Sequence, residues 1–564
     1  MTCPDRPKRP CRANPIRRLL TVKMNAIVAD SGTGALRRVL QGSEGFATVV
    51  ELVPWAGEMA DARGQKPMGL AAALAGDTRV TALSVTDNAG GHARLAPHAP
   101  AEALGRLGHD VIVHVACRDR NRNALQSLGW DLLGRSLTTV LAISGDYPVE
   151  GYQGLARPVF DLDSVGLLAL YRELGAVASQ RASQDDPAVD PDAHRFFLGC
   201  AVDPFKRLEE DLIPQYLKLG LKVRAGADYA ITQVGYDARR QHELLRWMQR
   251  TGIDLPIVAN AYILDRGVAR AFHAGRVPGC IVSDDLLTVV EAQAGSPDKG
   301  RSFFLEFAAK QLIVARGLGF RGIYLSGHRD AAEIGRILEI AESHDAADWR
   351  SVVGDVSWPE PGAFHAFGRD ADGLASEEPD RWYVASRDRR SKARDGRAAT
   401  LGYRVNRLAH QRVFEPGSAG FRTWASLYRR VERAHLEKPL HVLEQAVKVP
   451  LYDCRDCGDC SLPDVAYLCP ESHCQKNQRN GPCGGAHDGM CEVPGHACIW
   501  ANAYRRLKVY GEELAMLDRP PVVQDNELRR TSAWANTFLG RDHYGRRASS
   551  AVEEPAGAAR KPAS

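Results

Sequence analysis

Eight cysteines, Cys454, Cys457, Cys460, Cys469, Cys474, Cys483, Cys491 and Cys498, crowd into one short segment, and thiols at that density point to a metal or a cluster. In CRDCGDCSLPDVAYLCPESHC, the order C-x2-C-x2-C followed by C-P comes close to an iron–sulfur ligation pattern, with a longer gap before Cys469 than in bacterial ferredoxins. The eight divide naturally into two four-cysteine sites, the first ending at Cys469 and the second beginning at Cys474. Glycines in NGPCGG around Cys483 let backbone N–H groups approach cluster sulfurs. Zinc satisfies the same C-x2-C spacing, with His473 nearby, so spacing leaves iron–sulfur clusters and zinc both open. The other five, Cys3, Cys11, Cys117, Cys200 and Cys280, are scattered and read as tail thiols and small core residues.

A second group of chemically capable residues closes short apolar runs. FATVVELVP, VTALSVTD, DVIVHVA, TTVLAISG, FFLGCAV, DYAITQV, PIVANAYI and GIYLSG alternate with helix-like stretches such as SVGLLALYREL and RSFFLEFAAKQLIVARGLG. Eight such units predict a (β/α)8 barrel, an α/β fold of the TIM type, with an open doubly wound sheet as the alternative. In a barrel, chemistry sits at the C-terminal ends of the strands. Glu51, Thr86, His114, Asp146, Asp203 and Gln233 end the first six runs. Singly, a carboxylate there caps a helix and His114 is a satisfied buried histidine. Together the six predict a pocket on one rim.

At 564 residues the chain is expected to fold as two or more domains. The division reads as a disordered basic tail at 1–38, with Met24 as an alternative start; the barrel at 39–335; and a charged connector with helices at 336–440. A cysteine-rich, metal-binding domain at 441–520 and a flexible tail at 521–564 follow. Lys and Arg total 73 against 69 acidic residues, a net charge of +4, which argues against a nucleic-acid binder steered by bulk charge. No apolar run approaches the roughly 20 residues that span a bilayer, and MTCPDRPKRPCRANPIRR lacks the apolar core of a secretory signal. The expectation is a cytoplasmic homo-oligomer with no membrane partner, whose thiols are not disulfides.

VVELVP, SVTDNAGG, VHVAC, LAISGDYP, KVRAGADYAITQVGYD and GIYLSGH resemble, in order and spacing, the motifs of methylenetetrahydrofolate reductases, over about residues 40–330. The resemblance implies a flavin-containing barrel that reduces 5,10-methylenetetrahydrofolate to 5-methyltetrahydrofolate. Opening the five-membered ring to a 5-iminium needs an acid, and the resemblance gives that proton transfer to Glu51. It places Asp146 beside both flavin and pterin as a second catalytic residue, and Gln233 and Tyr236 on the folate substrate. Thr86, His114, Gly145, Asp203 and Lys222, with Asp146, fall where the family contacts its flavin. Ser144 stands where many members carry Arg, and Gln215 and Lys218 replace an Asp and an Asn, which leaves FAD and FMN both open.

Around residues 440–510, the cysteine motifs with NQRNGPCGG, MCEV and CIW look like the cysteine-rich small subunit of two-subunit reductases, which carries iron–sulfur clusters. Fused here, such clusters would feed or drain the flavin one electron at a time, with NAD(P)H or a one-electron carrier as redox partner. Two alternatives stand beside this reading. The barrel could act chiefly as a methyltetrahydrofolate oxidase in a demethylation pathway, or zinc could stabilise a module that docks a methyltransferase or carrier protein.

Overall fold

The computed structural model describes residues 34–185, 190–387 and 398–545. Met24, Cys3, Cys11, part of the expected connector (388–397) and residues 546–564 lie outside them.

Eight strands, β1 Ala47–Leu52, β2 Ala82–Val85, β3 Val111–Ala116, β4 Thr139–Ile143, β5 Phe197–Val202, β6 Tyr229–Thr232, β7 Ile257–Tyr262 and β8 Gly322–Ser326, form one closed parallel barrel in sequence order. β8 returns to β1 in the register Ala47↔Gly322 to Val50↔Leu325, which excludes the open sheet. A Cβ on Gly322 would lie 2.5 Å from the Ala47 carbonyl oxygen, so this seam needs glycine. The strands are short and almost entirely buried, covered by helices outside and side chains inside, which is why they read as unbroken apolar runs.

Helix α1, Ala35–Gln41, begins inside the stretch expected to be a disordered tail. Its Leu36 and Leu40 are buried with Ala47, Ile112, Leu141, Phe197 and Val258 in the barrel interior. The helix is therefore a plug, fixed where Leu36 N–H donates to Asp110 Oδ2 (2.9 Å). Helices α2 Gln65–Leu74, α3 His98–Arg106, α4 Arg122–Gly134, α5 Ser164–Asp185, α6 Glu209–Arg224, α7 Ala238–Thr251, α8 Arg266–His273, α9 Asp284–Gln293, α10 Arg301–Leu318 and α11 Ala331–Ser343 complete the outer layer.

The expected connector contains an antiparallel pair, β9 Phe367–Arg369 with β10 Ala375–Pro379, before α12 Arg381–Arg387, α13 Leu401–Ala409 and α14 Ala419–Arg433. The buried Glu243 carboxylate of α7 accepts the Ala366 N–H (3.0 Å), which ties this hairpin to the barrel. Helix α15, Glu437–Tyr452, then leads into the cysteine-rich segment with α16 Pro470–His473 and α17 Ile499–Lys508.

The stretch expected as a flexible tail from residue 521 is instead packed as far as 545. It contains α18, Ala533–Phe538, whose Asn536 Nδ2 donates to Gly458 O (2.9 Å). Buried His543 sits between Asp459 and Asp464, 3.0 Å from Asp464 Oδ2. Polar side chains order this segment as hydrogen-bond partners, a contribution composition does not reveal. The cysteine-rich domain rests on the barrel through α17 against α6, with Tyr504 O–H donating to Glu209 Oε1 (2.7 Å). Asp163 accepts the Asn480 N–H (2.9 Å). Among the described residues no helix is long and apolar enough to cross a membrane.

Candidate functional site

A cavity of about 580 Å³ opens at the C-terminal ends of the strands. That size lies within the roughly 300–1,000 Å³ usual for small-molecule sites. Glu51, Thr86, His114, Asp146, Asp203 and Gln233, the six strand-end residues, all line it, as do Gly145 and Lys222. The common direction of parallel strands brings these distant positions to one rim.

On the β1 side, Glu51 Oε1 accepts the Tyr324 O–H (3.2 Å). Burial pushes this carboxyl up to about 7, and the Tyr324 bond pulls the other way. Next to it, His114 Nε2 and Ser84 Oγ share a hydrogen bond of 2.8 Å, and burial pushes the imidazole down to about 4, so the ring is neutral at pH 7. Thr86 Oγ1 is buried without a hydrogen-bond partner in the protein, a group left for a ligand to satisfy.

The loop after β4 carries Asp146. Gly145 has φ +84°, and a Cβ there would stand 3.1 Å from Ala116 Cβ and 3.2 Å from Arg118 Cβ. Glycine lets the loop turn tightly against β3. Asp146 Oδ2 accepts the Gly90 N–H (3.0 Å), while Arg118 Nη1 donates to the Asp146 carbonyl (3.1 Å). Ser144, at the position expected for arginine, donates to Gln478 Oε1 (3.1 Å).

Across the mouth, Asp203 pairs with Lys206 (2.7 Å) and accepts the Phe205 N–H (2.9 Å). Gln233 Oε1 accepts the Val234 N–H (2.8 Å). Lys222 Nζ donates to the Ala201 carbonyl, and burial lowers this ammonium to about 8. Tyr236 is not among the residues that line the cavity. Three residues beyond Gln233, its ring stacks on Phe307 in the helix layer and its hydroxyl donates to Tyr262 O (3.3 Å).

The cysteine-rich domain supplies the remaining wall, with Lys476, Pro482, Cys483, Gly484, Gly485 and Glu492. Gln215 Nε2 donates to Cys483 O (2.7 Å). Lys218 Nζ donates to Pro482 O (2.9 Å), Gly481 O (3.1 Å) and Gln478 Oε1 (3.1 Å). The two departures noted in α6 therefore face this domain. Lys206 Nζ likewise donates to Gly484 O (2.6 Å).

Sequence reasoning missed Tyr324, Asn260, Arg118, Lys206, Lys476 and Glu492. Tyr324 and Asn260 lie inside the apolar runs of β8 and β7, and Arg118 lies two residues past the end of β3. For Lys476 and Glu492 no sequence signal exists beyond their closeness to cysteines.

Cys454, Cys457, Cys460 and Cys469 surround a cavity of about 20 Å³ with Lys448 and Arg479 beside them. In the second set, burial pushes Cys474 up to about 12, with Cys483 and Cys491 adding to the rise. Burial also raises Cys498, helped by Cys483 and Cys474. Among the described residues no three His, Cys, Asp or Glu side chains are arranged to hold a metal ion. Thiolates are soft donors, a chemistry that suits zinc or iron–sulfur clusters alike. Cys117, Cys200 and Cys280 are buried and free.

Residues 68–311 match the family described as "Methylenetetrahydrofolate reductase", and residues 433–526 the family described as "Methylene-tetrahydrofolate reductase C terminal". Among curated proteins, the chain is 30% identical over 180 residues to a 5,10-methylenetetrahydrofolate reductase of Pectobacterium carotovorum subsp. carotovorum, covering 31% of this chain and 51% of the relative. It is 29% identical over 181 residues to the enzyme of the same name from Salmonella typhimurium, covering 31% and 52%. The chain thus spans about half the length of these relatives. Among solved structures, an uncharacterised Clostridium thermocellum protein that binds two copies of 5-methyl-5,6,7,8-tetrahydrofolic acid aligns with a TM-score of 0.39 at 13% identity, covering 55% of this chain and 97% of that one.

Proposed function

The chain carries a methylenetetrahydrofolate reductase domain followed by that family's C-terminal domain, and from that premise we propose that it interconverts 5,10-methylenetetrahydrofolate and 5-methyltetrahydrofolate at the barrel mouth. The observation that carries the reading is Glu51, a carboxyl that burial raises to about 7, in a cavity it shares with Asp146 and Gln233. Ring opening of the methylene substrate needs a proton on nitrogen, and a group of this acidity holds one at neutral pH and releases it readily. In the opposite direction the same carboxylate takes the proton back.

Asp146, with one oxygen held by Gly90, offers the other to the amino donors of a pterin. Gln233, whose Oε1 is engaged by its neighbour's N–H, turns an amide toward a mixed donor and acceptor edge. A flavin, FAD or FMN, fits the remaining lining and would supply hydride chemistry there. Thr86 Oγ1 offers an unspent hydroxyl, neutral His114 a ring, and Lys222 a cation for phosphate. The two cysteine sets would hold iron–sulfur clusters or zinc; a cluster would supply single-electron chemistry.

The test is an anaerobic assay of the purified chain with 5-methyltetrahydrofolate and artificial or nicotinamide acceptors, following flavin bleaching, with iron, sulfide and zinc analysis on the same sample. Glu51→Gln is expected to keep flavin reduction by a chemical reductant while folate turnover falls by about 10²–10⁴-fold, the usual contribution of a positioned acid. Normal folate turnover by Glu51→Gln would remove the proton-transfer assignment.

A further inference from the structure

Both peptide groups that flank Asp146 are held by side chains of the other domain. Lys476 Nζ donates to Gly145 O (2.7 Å), and the Tyr147 N–H donates to Glu492 Oε1 (2.8 Å). The two side chains pair at 2.6 Å and are almost wholly buried, 4% and 2% exposed. Packing alone does not call for such a pair, because replacing a buried ion pair with apolar groups of similar volume is often neutral for stability. What the pair does, and two apolar side chains could not, is present one donor and one acceptor to the peptide groups on either side of one carboxylate.

The pair is itself assembled from two loops of the second cysteine set: Lys476 lies two residues after Cys474, and Glu492 directly follows Cys491. We propose that Lys476 and Glu492 are positioning residues for Asp146, so that the cysteine-rich domain sets the carboxylate of the barrel's own site as well as bordering the cavity. This rests on the reading of Asp146 as a folate-facing group. The barrel's site is then complete only when the two loops of the second cysteine set are brought together.

The double variant Lys476→Met/Glu492→Leu tests it in the full chain, because the apolar pair preserves packing while removing both hydrogen bonds. Metal content is expected to stay at the parent value, with the melting temperature lowered only by the loss of these two hydrogen bonds. The Kd and KM for 5-methyltetrahydrofolate are expected to rise at least about tenfold, the equivalent of one charge-assisted hydrogen bond. The KM for the electron acceptor should not move. A purely structural role would instead lower the active fraction, and so kcat, with both KM values unchanged, and that result overturns the proposal.

Asp146→Asn is the reference. If it binds folate normally, the reading of Asp146 fails; if it loses folate binding while the double variant keeps it, only the positioning role fails. Should the double variant not fold, Lys476→Gln, which drops the charge but keeps an amide donor, is expected to weaken folate binding by about threefold, a fraction of one such bond. Parent affinity in Lys476→Gln overturns the proposal.

Discussion

Glu51 shows how one side chain acquires its acidity from where its strand ends. Burial raises the carboxyl and the Tyr324 hydroxyl lowers it, with burial the larger effect, leaving it at about 7. If Glu51 carries the proposed proton transfer, its working form for methylene reduction is protonated, so kcat in that direction should be flat in acid and fall as pH rises through about 7. In the oxidative direction the working form is the carboxylate, and kcat should fall as pH drops through the same midpoint. Tyr324→Phe removes the opposing contribution, so both profiles are expected to shift to higher pH; a midpoint that stays put or moves down would show that Tyr324 does not act on Glu51. Glu51 was legible in the sequence because a lone carboxylate ended an apolar run. Tyr324 was not, since an aromatic inside a β run reads as core, and its hydroxyl meets Glu51 only because β8 closes onto β1.

Among the elements, the eight strands and their order were legible because strands buried on both faces must be apolar along their whole length. The plug helix α1 was not. It is short and follows a basic, proline-rich stretch, and only the barrel's open lower end gives its two leucines somewhere to go. Leu36 has no exposed surface, and Leu36→Ala is expected to cost about 2–5 kcal/mol, the range for emptying a well-packed leucine site. A lowered denaturant midpoint would read this out. Because the plug sits at the end of the barrel away from the cavity, folate affinity of the folded fraction should match the parent; a parallel loss of affinity would mean the plug shapes the site. The packed segment up to residue 545 escaped reading for a related reason. Its anchors, Asn536 and His543, are polar residues whose partners lie far off near the first cysteines.

The whole molecule joins barrel and cysteine-rich domain through buried lysines, and this was the least legible feature. A lysine in an amphipathic helix reads as solvated, and a glycine-rich loop carries no mark of what it docks against. Lys218 is 1% exposed, and burial lowers its ammonium, yet all its hydrogen bonds end on residues 478–482. Its charge is therefore held by Asp163 of the barrel and, through these hydrogen bonds, by one segment of the other domain. Lys218→Met leaves two carbonyls and an amide oxygen buried without that donor, and each hydrogen bond to a charged group contributes about 1.5–3 kcal/mol. The loss should fall on the docking of residues 476–485, because the barrel closes through its own strands. Amide exchange in that segment is therefore expected to accelerate by about 10–100-fold, with exchange in β1–β8 unchanged. Folate affinity should fall with it, since the same segment walls the cavity. Unchanged exchange over 476–485 would mean that the neighbouring Lys206 and Gln215 contacts hold the domains together without Lys218. Faster exchange with parent folate affinity would instead mean that this wall only borders the site and that the barrel binds folate alone.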